Sequence, residues 1–278
     1  MFRLGAVAYD AKVVPIWDGF KAYFESNGLE FDFVLYSNYE AQVDAHVRGD
    51  FDVAWNSPLA WIQTRRILEA AGRRASAVAM RDTDQDLTSV IVVRKDSPIT
   101  TIADLEGRTV GLGAEDSPQA TMIPMLHIAE AGLDPVADCT LRYHDVLRGK
   151  HGDHIGGERD AARALVAGDV DAACMIDGNH LVFAGEGTLP GGSTRILART
   201  GRYDHCNFTI LDDPDRPDVR QFATLLLSMS YDDPGLRGLL DMEGLKAWKP
   251  GRTTGYDLLD RAVDRFGTID SWLHARTA

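Results

Sequence analysis

Residues 46–58, HVRGDFDVAWNSP, and residues 165–177, LVAGDVDAACMID, repeat one pattern. In each copy an amphipathic run ends at glycine, Asp-x-Asp follows, and a short apolar run comes next. Gly49 and Gly168 suit the left-handed turn that closes a helix, and the runs Asp52–Trp55 and Asp171–Cys174 are short enough to be strands buried on both faces. Each copy is therefore a helix-to-strand unit of a parallel α/β sheet. In such sheets ligands collect beyond the carboxyl ends of the strands, which points to Asn56, Ser57 and Pro58 in one copy and Asp177 in the other. Two copies in one chain predict two similar lobes with a ligand cleft between them.

The order around each copy supports this. Phe2 to Ala8 reads as a strand. A helical pattern through Trp17, Phe20, Tyr23 and Phe24 closes at Asn27-Gly28, and Leu29 to Tyr36 alternates as a second strand. The resulting β-α-β-α-β order favours a parallel sheet with right-handed crossovers. A helix follows Pro58, Ala75 to Met80 is a strand, and the β-branched run Leu87 to Val93 is a long strand placed to cross between lobes. The expected division puts residues 1–88 with 190–278 in lobe I and residues 89–189 in lobe II. From Pro217 to Trp272 the pattern is mostly helical and is expected to pack back on lobe I.

At 278 residues the chain is long enough for two such lobes. A net charge of -13 argues against a nucleic-acid or anionic-membrane surface. A small anionic ligand remains compatible with it, because helix N-termini make a pocket locally positive. No run approaches the length of a membrane span. The N-terminus enters a strand with no basic leader or cleavage site, so the chain as written is expected to be cytoplasmic, or periplasmic or lipid-anchored if a leader has been removed. Cys139, Cys174 and Cys206 are odd in number and indicate no disulfide framework.

The clearest candidate site is Gly113-Ala114-Glu115-Asp116-Ser117-Pro118-Gln119-Ala120-Thr121, where strand gives way to helix. Ser117 is a natural N-cap and Pro118 a natural first helical residue. The N–H groups that follow, with the hydroxyls of Ser117 and Thr121, form an anion cup, although a capped helix with solvent at its mouth has the same sequence. The stretch His144 to Gly157 is too polar and glycine-rich for core, and a loop of that length is usually functional or mobile. It leads into a second helix start at Glu158-Arg159-Asp160.

On these residues the chain resembles the phosphate, phosphite and phosphonate solute-binding components of ABC importers, which have the type II periplasmic-binding-protein fold. The likeness runs over about residues 3 to 178. It is carried by Tyr9, Gly49-Asp50-Phe51-Asp52-Val53-Ala54, Ser57-Pro58-Leu59-Ala60, Ser89 to Ile99, Leu105-Glu106-Gly107-Arg108-Thr109-Val110, the Ser117 helix start, Ala131-Gly132-Leu133-Asp134-Pro135 and Gly168 to Ala173. The resemblance implies a phosphoryl group held at Ser117, Gln119, Ala120 and Thr121. It implies further cleft positions at Tyr9 and Ser57, and at Asp177 a carboxylate that meets the ligand amine in aminophosphonate binders. Where that family shows Ser-His-Asp-Ala, this chain has Glu158-Arg159-Asp160-Ala161, and Arg159 is a candidate bidentate donor to an oxyanion. A small-molecule anion is the expected ligand, with an ABC permease as partner if the chain is exported.

His151, His154 and His205 are side chains that zinc or iron accepts. Their spacing matches no standard metal signature, so surface loops are the expected setting and no cofactor is expected, with a bound metal ion at these histidines as the lesser alternative. The alternative function is a cytoplasmic enzyme on the same fold, like those of menaquinone and thiamine-pyrimidine biosynthesis, which the chain resembles less by motif. It would use Cys174 or Cys206 as nucleophile, His180 or His205 as base and Asp177 as orienter.

Overall fold

The computed structural model describes residues 1–152 and 156–267. His154 and Trp272, singled out above, lie outside the described residues. The chain forms two compact units, one of residues 1–85 and 204–256 and the other of residues 86–203 with the chain from 257 onward.

The first unit is built on strands β1 (Phe2–Val7), β2 (Phe31–Tyr36), β3 (Val53–Asn56), β4 (Ala75–Arg81), β10 (Asn207–Leu211) and β11 (Trp248–Pro250). Their order in the sheet is β11-β4-β10-β3-β1-β2. β1 pairs in parallel with β2 and β3, while β10 runs antiparallel to β3 and β4. Helix α1 (Val13–Ser26) buries Val13, Ile16, Trp17, Phe20 and Phe24, the spacing that puts one helical face on a sheet. That face joins Phe31, Trp55, Phe208, Phe222 and Trp248 in one aromatic-rich core. Gly5 is required on β1, because a Cβ there would come within 2.2 Å of the Phe51 ring.

Helix α2 (Tyr39–Arg48) ends at Gly49 with φ 83°, and α3 (Pro58–Ala70) starts at Ser57, whose side chain accepts from Ala60 N–H. The first Gly-Asp-x-Asp copy is thus the C-cap of α2 followed by β3. Asp52 fixes the register. Its N–H donates to the Arg3 carbonyl at 2.9 Å, and its carboxylate accepts from Arg3 N–H at 2.8 Å.

The second unit holds β5 (Ser89–Arg94), β6 (Thr109–Leu112), β7 (Thr140–Tyr143), β8 (Ala172–Ile176) and β9 (Thr194–Arg199) in the order β7-β6-β8-β5-β9. β6 is parallel to β7 and β8, and β5 is antiparallel to β8 and β9. Short helices α4 (Ile123–Glu130) and α5 (Pro135–Asp138) follow β6, and α6 (Gly156–Ala167) leads into the second copy of the repeat. Gly168 has φ 83°. Asp171 repeats the device of Asp52, donating to the Thr109 carbonyl at 2.8 Å and accepting from Thr109 N–H at 2.9 Å.

Three features differ from the sequence-based expectations. β9 hydrogen-bonds to β5, so residues 190–203 lie in the second unit rather than in lobe I. Asp177–Glu186, a stretch where no helix is expected from the sequence, forms helix α7, closed by Gly187 at φ 86°. Helices α8 (Pro217–Ser228) and α9 (Pro234–Glu243) do belong to the first unit, but α10 (Asp257–Phe266) packs on α4 in the second.

Candidate functional site

The segment after β6 is the focus of the second unit. Ser117 caps the helix start by accepting from Ala120 N–H at 3.2 Å, and Pro118 takes the first position. Pro118–Met122 is wound more widely than an α-helix, with Met122 N–H donating to the carbonyl five residues back, that of Ser117, at 3.0 Å. Such π-type turns recur at functional sites.

Ser117, Gln119 and Thr121 are at most 2% exposed. Most of their polar groups have partners inside the unit, whereas Gln119 Oε1 has none among the described residues. Thr121 Oγ1 donates to the Ala114 carbonyl at 2.8 Å, and Gln119 Nε2 donates to the Gly152 carbonyl at 2.9 Å. Below them Ser89 Oγ donates to the Gln119 carbonyl at 2.6 Å and lies 2.7 Å from Tyr203 Oη. Ser89 spends its one proton on Gln119, so Tyr203 is the donor to Ser89. Burial pushes the Tyr203 phenol up, which keeps that proton in place.

The carboxyl end of β8 carries the second group of candidates. Asp177 opens α7 and pairs with Arg199, which also donates to Thr88 Oγ1 at 3.0 Å. His180 is half-buried, and burial pushes its imidazole down, against the Asp177 charge that raises it. Glu158, nearly fully buried, accepts from Ile176 N–H at 2.9 Å and from Asn179 Nδ2 at 2.7 Å. It ties the start of α6 to the end of β8. Arg159 points to other partners than an oxyanion, pairing with Glu186 and lying 4.9 Å from the Phe183 ring centre.

In the first unit Ser57 caps α3 as described. Tyr9 is half-buried, with the Lys12 ammonium 5.8 Å from its ring centre. A buried polar chain runs beneath the strand ends. Gln42 Nε2 donates to Asn56 Oδ1 (2.8 Å), Asn56 Nδ2 to Thr209 Oγ1 (2.9 Å), Thr209 to Asn207 Oδ1 (2.7 Å), and Asn207 Nδ2 to Tyr256 Oη (2.8 Å). Tyr256 in turn donates to the His205 carbonyl at 2.9 Å. Only Asn56 of this chain stands out in the sequence. Its other members are polar residues on apolar faces whose partners are far away along the chain.

His205 and Cys206 are buried, not exposed on a loop. His205 Nδ1 is 3.1 Å from Cys206 Sγ and 3.5 Å from Asp84 Oδ1. The carboxylate beside this histidine is therefore Asp84, which the sequence did not single out, while Asp177 is paired with Arg199. Arg81 holds Asp84 from both sides, at 2.6 and 2.9 Å, and also reaches Glu243. Burial alone would raise Asp84, but the Arg81 guanidinium and His205 outweigh it and hold the carboxyl well below its ordinary range.

One donor atom each from Asp84, His205 and Cys206 lies within 4.8 Å of the others. His205 Nδ1 and the Arg81 ion pair tie these groups together, His205 Nε2 is buried with no hydrogen-bond partner among the described residues, and the grouping by itself is not evidence of an ion. His151, the other described metal candidate, is buried at 1% exposure beside Ser117's neighbour Gly152, again not on an open surface. Cys174 lies in the apolar core of β8, where burial pushes its thiol up, opposite to what a nucleophile needs.

Two α/β units, each a mixed sheet in which parallel pairs are flanked by antiparallel ones rather than the mainly parallel sheet expected from the repeat, with a capped helix start beyond the strand ends, define a type II periplasmic-binding-protein fold. Residues 6–257 match the profile of the phosphonate ABC transporter periplasmic substrate-binding proteins, and the chain belongs to that family. It is a solute-binding protein, and the enzyme alternative is not favoured. The family is periplasmic, and no helix among the described residues is long and apolar enough to cross a membrane.

Solved structures share this fold at low identity. PhnD1 from Prochlorococcus marinus (MIT 9301), in complex with methylphosphonate, is 17% identical with a TM-score of 0.70, covering 96% of this chain and 98% of its own. XAC2383 from Xanthomonas citri, bound to ATP, is 17% identical with a TM-score of 0.69, covering 95% and 97%. The phosphonate-transporter binding protein PA3383 from Pseudomonas aeruginosa is 13% identical with a TM-score of 0.60, covering 100% and 99%. No curated protein matches the chain by sequence.

Proposed function

We propose that this chain binds a small phosphonate- or phosphate-like oxyanion at the Ser117 helix start and delivers it to an ABC permease. The observation that carries this reading is the buried Ser117–Thr121 segment, which places a capped helix N-terminus, an amide side chain and two hydroxyls together beyond β6 in a member of this family. Backbone N–H groups and the helix dipole favour an anion there. Gln119 supplies a neutral donor for one ligand oxygen. Asp177, with its Arg199 partner, is a second ligand position in the same unit, and its carboxylate suits a ligand amine. Tyr9 and Ser57 are the positions proposed on the first unit. Arg159, committed to Glu186 and Phe183, contributes only if those contacts are exchanged.

Native mass spectrometry of freshly purified protein tests for a retained ligand or metal. Calorimetric titration with methylphosphonate, 2-aminoethylphosphonate, phosphite, inorganic phosphate and ATP then sorts the ligand class. Saturable binding of at least one phosphorus oxyanion is expected. Silence across that panel, with no retained anion, overturns the reading. Ser57→Ala and Tyr9→Phe, titrated with the best ligand, test whether the first unit contributes. Cell fractionation of the full gene product tests for the family's periplasmic location.

A further inference from the structure

Residues 144–152 fold back over the helix start at Ser117 as a strap held by the residues around the proposed ligand position. His144 Nδ1 lies 2.9 Å from the Leu112 carbonyl, and Asp145 Oδ1 accepts from Glu115 N–H at 3.1 Å. Arg148 pairs with Glu115 at 2.5 Å, and Gly149 N–H donates to Asp116 Oδ2 at 2.6 Å. At Gly152 the strap's carbonyl accepts from Gln119 Nε2 at 2.9 Å. Gly152 sits so close to Ser117 that a Cβ on it would be 2.7 Å from Ser117 Cβ and 2.8 Å from its Oγ.

Two observations mark this docked state as one the chain can leave. Leu147 and His151 hold left-handed backbone, with φ 67° and 53°, alongside Gly149 and Gly152, a conformation disfavoured for residues with a side chain. In addition Gln119 Oε1 is buried with no hydrogen-bond partner among the described residues, so the strap satisfies only the donor side of the amide it covers.

We propose that the strap is an internal competitor of the ligand. The Gly152 carbonyl oxygen takes one of the two N–H donors of the Gln119 amide, the one a ligand oxygen would take, and the ligand enters by displacing the strap. This rests on the oxyanion reading of the Ser117 site. Apparent affinity is then the intrinsic affinity reduced by the fraction of molecules whose strap is undocked.

Arg148 and Lys150 make the strap its own reporter, since a protease needs a locally extended segment and trypsin therefore cleaves there faster when the segment leaves its seat. The full chain is digested with and without saturating methylphosphonate or inorganic phosphate, alongside Gly152→Ala, which drives a Cβ into Ser117, and the milder Asp145→Ala, which removes the bond to Glu115. The expected result is ligand-accelerated cleavage at Arg148 and Lys150. Both variants are expected to be cleaved faster without ligand and to bind the oxyanion more tightly, by roughly three- to tenfold, through faster association. Ligand that slows or leaves unchanged cleavage in the strap overturns the proposal, because the segment would then close over the ligand or take no part. Unchanged affinity in two folded, faster-cleaved variants overturns it too. Binding by the variants alone supports it, whereas no oxyanion binding by any of the three proteins removes the oxyanion reading and the strap proposal with it.

Discussion

Asp171 holds the backbone of Thr109 at both ends, its N–H donating to the Thr109 carbonyl at 2.8 Å and its carboxylate accepting from Thr109 N–H at 2.9 Å. Asp52 does the same to Arg3 in the other unit. The second aspartate of Gly-Asp-x-Asp is thus the clamp that sets the register between a strand and its parallel neighbour. Asp171→Ala is expected to cost about 1.5–3 kcal/mol, the range for a hydrogen bond to a charged group. Asp171→Asn, which keeps an acceptor, should cost less. Urea unfolding of both variants measures this, and a null effect for the alanine variant would remove the clamp.

That clamp also shows what the sequence could and could not reveal. The repeat was legible because a left-handed glycine, a clamping aspartate and a fully buried strand are local requirements that recur in order. Ser117 was legible for the same reason, since a cap and the proline after it are neighbours. The pairing of β9 with β5 was not legible, because Thr194–Arg199 alternates like any edge strand and nothing local names its partner. The polar chain from Gln42 to Tyr256 depends on side chains as much as 153 residues apart in sequence, and the Arg81–Asp84–His205 group likewise depends on a distant partner. Arg159 was misleading for a related reason. Its charge suggested an anion, but Glu186 and Phe183 of α7, a helix the sequence hid behind its glycines, are the partners it meets.

Acid sensitivity follows from His46. The ring is fully buried and stacked on Phe51 at 4.7 Å, and burial pushes its pKa down to about 3. An unfolded histidine titrates near 6.5. Between these values the unfolded chain binds more protons than the folded one, so the His46 contribution to stability is lost as pH falls below about 6.5, by up to about 1.4 kcal/mol per pH unit. Above that pH it adds no slope. Denaturation of wild type and His46→Leu at pH 7, 6 and 5 should show a shallower acid decline in the variant, and parallel curves would refute the assignment.

The Arg81 ion pairs stabilise the first unit only as a set. Asp84 and Glu243 are both nearly fully buried against one guanidinium that also lies 5.2 Å from the Trp55 ring centre. Removing the cation leaves buried carboxylates without it, which costs about 3–5 kcal/mol. Arg81→Ala should therefore melt well below wild type, with Asp84→Asn intermediate. A melting temperature within a degree or two of wild type for Arg81→Ala would show that water or a nearby side chain takes over its role.

Thiol labelling separates a binder from a cysteine-dependent enzyme. Cys174 and Cys206 are buried, and Cys139 is only partly so. Burial pushes Cys174 up, and burial followed by the neighbouring aspartates does the same to Cys139. In native protein at pH 8 an aromatic disulfide reagent should therefore react slowly, at Cys139 first, with Cys174 and Cys206 labelled only in denaturant. Rapid native modification of Cys206, located by mass spectrometry, would revive the His205–Cys206 pair as chemistry.

Gln119 separates ligand contact from scaffold at the Ser117 site. Ser117 and Thr121 both satisfy backbone groups, so Ser117→Ala with Thr121→Ala removes a cap worth about 1 kcal/mol as well as two hydroxyls. Loss of binding in that double variant mixes the two roles. Gln119 is different, because its carbonyl anchors to Ser89 through the backbone and survives substitution, while its amide serves Gly152 or, on the proposed reading, a ligand oxygen. Gln119→Glu replaces the donor with a carboxylate and should weaken oxyanion binding by at least about tenfold, or about 1.4 kcal/mol. The helix start should persist, as judged by the thermal transition and by exchange protection of the Ala120 amide. Equal binding of the best oxyanion by wild type and Gln119→Glu would move the ligand away from this helix start, leaving Asp177 and the end of β8 as the remaining position in this unit.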